Sequence, residues 1–63
     1  MDIGTNILLI RRSKKMTQKQ LADGANTHTL QISRYERGGQ KPGAEMLMKI
    51  AAALGVEIGE LYK

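Results

Sequence analysis

A chain of 63 residues with ten Lys and Arg against six Asp and Glu, a net charge of +4, is expected to form a single domain spanning 1–63 with a small core. At that length only about 60% of the unfolded surface is buried. The lack of Cys excludes a disulfide framework and a thiolate metal cluster, and one His cannot make a zinc site, so no metal or cofactor is expected. Apolar stretches fall far short of the roughly 18 residues a membrane span needs, and no basic segment followed by an apolar run marks a signal peptide. A soluble, cytoplasmic chain with no membrane partner is the expectation.

The elements follow in chain order. Ile3, Ile7 and Ile10 recur at spacings of four and three, the period of one helical face, and predict a first helix over about 3–14. Leu8 and Leu9 cannot both share that face, because successive helical residues point about 100° apart. "TQKQ" at 17–20 fits a capping box, with Thr17 capping the third helical N–H and Gln20 reaching back, and starts a short second helix to about Ala25. Asn26 suits the left-handed conformation of a turn at 25–27. A third helix begins around Thr27 or His28, buries Ile32 and Tyr35, and stops at Gly38 and Gly39. "GGQKPG" at 38–43 is a loop, Pro42 holding Lys41 extended. Leu47, Ile50, Ala51 and Leu54 give the clearest helical period, with Met46 and Met48 flanking it as gap fillers and Gly55 as the stop. Val56, Ile58 and Leu61 predict a short fifth helix. There is no alternating strand pattern, so the fold class is all-α.

Charge is unevenly spread. Residues 11–41 hold eight basic side chains against two acidic ones, whereas residues 42–63 hold two against three. A concentrated positive field of this kind is the footprint of a polyanion-binding surface. Within it, two short helices joined by a tight turn at about 17–37, the second with the small, polar and basic outer face of "ANTHTLQISRYERGG", make a helix-turn-helix unit. Short polar side chains such as Thr29, Gln31 and Ser33 suit hydrogen bonding to base edges in a major groove, and Leu30 suits a thymine methyl. Catalysis finds no support: there is no glycine-rich phosphate loop, no nucleophile beside a base and no metal spacing.

"TQKQLADGANTHTLQISRYERG" resembles the phage-repressor/Cro (XRE-type) helix-turn-helix family, which reads S/T-Q-x-x-L-A, a turn, then I-S-x-W/Y-E-x-G. Pro42, Glu45, Leu47, Lys49, Ile50, Ala51, Ala53, Leu54, Gly55 and Val56 match its later P-x-x-E-x-L-x-K-I-A-x-A-L-G-V pattern. The resemblance implies a compact five-helix, lambda-repressor-like domain. It further implies a sequence-specific regulator of transcription, a repressor, that binds a near-palindromic double-stranded DNA operator as a homodimer, in a prokaryotic or phage-encoded, nucleoid-associated setting.

The roles of particular residues follow from the same resemblance. His28, Thr29, Leu30, Ser33 and Arg34 fall at or beside base-facing positions. Gln18, Lys19, Arg37, Gln40 and Lys41 fall at positions that grip the DNA backbone. Arg11 and Glu36 align with a buried salt bridge between the first and third helices. Three departures weaken local signals: Lys15 stands where Gly is usual, Gly43 where Ser or Thr caps the fourth helix, and Glu57 where the fifth is capped. His28 stands where Ser or Thr normally caps the third helix, so Thr27 is an alternative cap that would shift the base-facing set by one. A protein-interaction module or antitoxin is the alternative, with Leu8, Leu9 and Leu30 docking on a protein partner.

Overall fold

The computed structural model describes residues 2–63. Helices α1 (Ile3–Ser13), α2 (Gln18–Gly24), α3 (Thr29–Glu36) and α4 (Ala44–Leu54) are followed by a 3-10 helix over Ile58–Tyr62, with no strand among the described residues. The expected fifth helix is therefore the tighter form, closed by an i to i−3 bond from the Glu60 N–H to the Glu57 carbonyl (2.9 Å). Five residues with no side-chain cap at Glu57 are too few to propagate an α-helix, and short runs of the 3-10 form are usual there.

Each start has a local cause. The Asp2 carboxylate accepts the Thr5 N–H at 2.7 Å and opens α1. At α2 both halves of the capping box form: Thr17 Oγ1 accepts the Gln20 N–H at 3.0 Å, and Gln20 Oε1 accepts the Thr17 N–H at 2.8 Å. At α3 the cap is His28, whose Nδ1 accepts the Gln31 N–H at 3.3 Å, so the helix begins at Thr29 rather than at Thr27 or His28. Gly43 precedes α4 with no side-chain cap bond, as its lack of a hydroxyl dictates.

All four α-helices end the same way. After each, a residue in the left-handed region is followed by one whose N–H reaches back five residues: Met16 to Arg11, Thr27 to Ala22, Gly39 to Arg34 and Val56 to Ala51, at 2.8–3.1 Å. This is the Schellman closure, which satisfies carbonyls that the helix end would otherwise leave open. The left-handed residues are Lys15 (φ 58°), Asn26 (φ 57°), Gly38 (φ 78°) and Gly55 (φ 73°). Gly and Asn adopt that conformation readily; a lysine there costs about 1–2 kcal/mol through contact of its Cβ with the backbone.

The core joins every element. Ile7, Leu21, Ile32, Ile50 and Leu61 are completely buried, with Ala22, Ala25, Tyr35, Leu47, Ala51 and Leu54 around them. Each large aliphatic side chain so placed contributes roughly 1.5–3 kcal/mol of burial free energy. Ile3, Ile10, Met16, Met46 and Val56 close the edges. Met48 does not fill a gap as expected; it is exposed, because one step past Leu47 turns it off the buried stripe. Ile58 is likewise at the surface while Leu61 carries the contact of the last helix. Asn6, buried on α1, donates from Nδ2 to the Leu61 carbonyl at 2.9 Å and fixes that helix against α1.

Candidate nucleic-acid interface

The centre of the site is a buried ionic hub. Arg11 on α1 meets Glu36 at the end of α3 through two parallel bonds, Nε to Oε2 at 2.6 Å and Nη2 to Oε1 at 3.1 Å. The side chains are 11% and 4% exposed. The remaining guanidinium nitrogen, Nη1, donates to the Met16 carbonyl at 2.8 Å, and Gln18 Nε2 on α2 donates to Glu36 Oε1 at 2.9 Å. The Arg11–Glu36 pair thus ties α1, the α1–α2 turn, α2 and α3 together. Such a bidentate pair is directional, and the extra donors satisfy oxygens that burial would otherwise penalise. Gly4 makes the approach of α1 to α3 possible, since a Cβ there would run into the Tyr35 carbonyl oxygen.

With its inner side fixed, α3 turns a defined face outward. Ile32, Tyr35 and Glu36 are buried, while Thr29, Leu30 and Arg34 are exposed and Ser33 is half-buried. Leu30 is 52% exposed, which removes it from the core. His28 is exposed at the head of this face and Arg37 at its foot. The register that sequence alone left open between Thr27 and His28 is thereby set at His28, and the five expected residues share one outer surface. An eight-residue helix at about 1.5 Å per residue is about 12 Å long, two turns of readable surface.

The other expected residues divide. Gln40 and Lys41 are exposed on the α3–α4 loop, which Pro42 anchors by its own burial. Gln18 is half-buried and engaged with Glu36, a bracing contact. Lys19 pairs with Asp23 at 3.2 Å, but both side chains lie in solvent and the pair holds little energy. Ion pairing also separates the two halves of the chain. Arg12, Lys14, Lys15, Arg34, Arg37 and Lys41 have no carboxylate within 4.0 Å among the described residues, whereas Lys49 and Lys63 are paired with Glu45 and Glu60. Of the unpaired six, Arg12, Lys14 and Lys15 were not singled out for a binding role by sequence; their only signal was the charge run itself.

The comparisons agree with this geometry. A helix-turn-helix family model matches residues 7–61, and the chain belongs to that family, in its XRE-type branch. It is 34% identical over 61 residues to the immunity repressor protein of Bacillus phage phi105, covering 97% of this chain and 42% of that protein. It is 40% identical over 58 residues to multiprotein-bridging factor 1 of Debaryomyces hansenii, covering 92% and 39%. The chain therefore spans about two fifths of the length of these relatives. Among solved structures, the DNA-binding domain of the P22 c2 repressor superposes with a TM-score of 0.96 at 27% identity, over 100% of this chain and 83% of that one. The restriction-modification controller protein C.AhdI of Aeromonas hydrophila gives 0.91 at 27%, over 94% and 86%. A P22 c2 repressor has also been solved in complex with a synthetic operator, with a TM-score of 0.89 at 26% identity, over 97% and 92%.

Proposed function

We propose that this chain is the DNA-binding part of a transcriptional regulator, a repressor, that reads double-stranded DNA with α3. The observation that carries the proposal is the outer face of α3: His28, Thr29, Leu30 and Arg34 are exposed, with Ser33 half-buried beside them, on a helix locked from behind by Arg11, Gln18 and Glu36. A major groove about 12 Å wide admits one helix, and such side chains suit hydrogen bonds and methyl contacts with base edges. Arg37, Gln40 and Lys41, with Gln18 and Lys19, supply sequence-independent contacts to phosphates. The similarity to repressors, one of them solved in complex with a synthetic operator, supports the same reading. A homodimer on a near-palindromic site is part of the proposal. Phage or prokaryotic origin, a cytoplasmic location and the absence of enzymatic activity belong to this proposal. The described residues contain no helix long and apolar enough to cross a membrane.

A second reading, a docking surface for a protein, has the half-exposed Leu9 on α1 and the likeness to a multiprotein-bridging factor in its favour. In vitro selection from a random duplex pool separates the two. An enriched palindrome whose preference relaxes at one base pair in Thr29→Ala, by about 1–3 kcal/mol, supports DNA reading. No enrichment at physiological salt contradicts it.

A further inference from the structure

The four Schellman closures contain one exception. Asn26, Gly38 and Gly55 are residue types that carry a left-handed backbone at little cost, whereas Lys15 is not, although its turn has the same bonds as the others. No ion pair within the protein rewards that lysine: its side chain is exposed and has no carboxylate partner among the described residues. Its position is nonetheless rigid. The Lys15 N–H donates to the Arg12 carbonyl at 3.0 Å and the Met16 N–H to the Arg11 carbonyl at 3.1 Å. The Met16 carbonyl is in turn held by Arg11 Nη1 at 2.8 Å, on the same guanidinium that grips Glu36 at the end of α3. Lys15 is therefore mounted, one residue away from that carbonyl, on the hub that sets α3. Gln18 lies three residues on, and Arg12 and Lys14, without a carboxylate partner among the described residues, precede Lys15 in the chain.

We propose that Lys15 contacts a backbone phosphate of duplex DNA beside the segment read by α3, and that its unfavourable backbone conformation is kept for that charge. The inference rests on the reading of α3 as the DNA-reading helix. A single phosphate neutralised by a lysine releases its condensed counterion, so binding gains independently of sequence and loses with salt. Lys14 and Arg12 widen the same positive corner, but only at Lys15 does the side chain come with a local conformational penalty that a glycine would remove.

The test combines melting with salt-dependent binding for Lys15→Gly, Lys15→Asn, Lys15→Arg and the control Lys49→Gln. The probes are a duplex enriched by selection and a mixed-sequence duplex of equal length. Lys15→Gly is expected to melt at a higher temperature than the wild type and yet bind about five- to tenfold more weakly at 0.1 M salt, with the log–log salt slope reduced by about 0.9. Lys15→Asn loses the same affinity, Lys15→Arg keeps it, and Lys49→Gln keeps the wild-type slope. A gain in stability together with a loss of binding cannot come from unfolding. The Lys15 assignment is overturned if Lys15→Gly and Lys15→Asn retain the wild-type affinity and slope, or if they weaken only the selected duplex. Wild-type protein with no salt-dependent affinity for either duplex overturns both this assignment and the DNA reading.

Discussion

The two halves of the molecule solve opposite problems with the same helices. From α1 to the α3–α4 loop, an apolar core is joined by a polar network: a buried Arg11–Glu36 pair holds three helices, and six cations have no carboxylate partner among the described residues. In α4 and the 3-10 helix, the contact is apolar, through Leu47, Ile50, Ala51, Leu54 and Leu61, and both lysines are paired. The first half is oriented by directional bonds and left electrostatically unsatisfied on its outside. The second is held mainly by non-directional burial, with one buried bond from Asn6 to the Leu61 carbonyl, and is nearly neutral. A surface that must meet a polyanion in one register needs the former; a platform that only has to support it needs the latter.

The largest contrast is between the two kinds of ion pair. Glu36→Ala leaves Arg11 buried without its partner and frees Gln18, at a cost of about 3–5 kcal/mol. That is comparable with the whole stability expected of so small a core, so urea titration should find the variant largely unfolded at room temperature. Glu45→Ala removes an exposed pair of 4.0 Å on α4 and should shift the same titration by less than about 0.5 kcal/mol. Equal effects would show that the hub does not orient the first half.

A smaller contrast lies in the caps. His28→Ala removes the acceptor for the Gln31 N–H and should cost about 1 kcal/mol in thermal melts while also weakening DNA binding. Gly43→Ser offers α4 a cap it lacks and should add a few tenths of a kcal/mol with affinity unchanged. If Gly43→Ser altered affinity as much as His28→Ala did, the division between reader and platform would be wrong.

The smallest effect is the acid response of Asp2. The backbone N–H of Thr5, and then its hydroxyl, hold this carboxyl below its ordinary value of 3.8. A depressed folded-state pKa contributes stability above the unfolded value and loses it as pH falls through the lower folded value. Melting temperatures of wild type and Asp2→Asn should therefore differ above about pH 4 and converge in stronger acid.

Much of this was legible in the chain. Apolar spacing located α1, α3 and α4, "TQKQ" gave the capping box that starts α2, and Asn26 declared its turn, because these signals are local. The Arg11–Glu36 pair came only through family resemblance, since no periodic rule relates positions 25 residues apart. Several features were not legible for physical reasons. Whether His28 or Thr27 caps α3 depends on the orientation of an imidazole, and the type of the last helix depends on one residue of hydrogen-bond register. The need for Gly4 arises from a carbonyl more than thirty residues away. Gln18 was expected at the DNA backbone, and the bond its side chain makes here is a brace to Glu36.

The most direct test of the account is a salt titration of binding to one selected duplex by Arg37→Ala and Lys41→Ala alongside Lys49→Ala and Lys63→Ala. The account predicts that each of the first two lowers the salt slope by about 0.9 and weakens binding to every sequence alike, while the last two leave the slope at its wild-type value. Slopes reduced equally by all four variants, or by none, would contradict it.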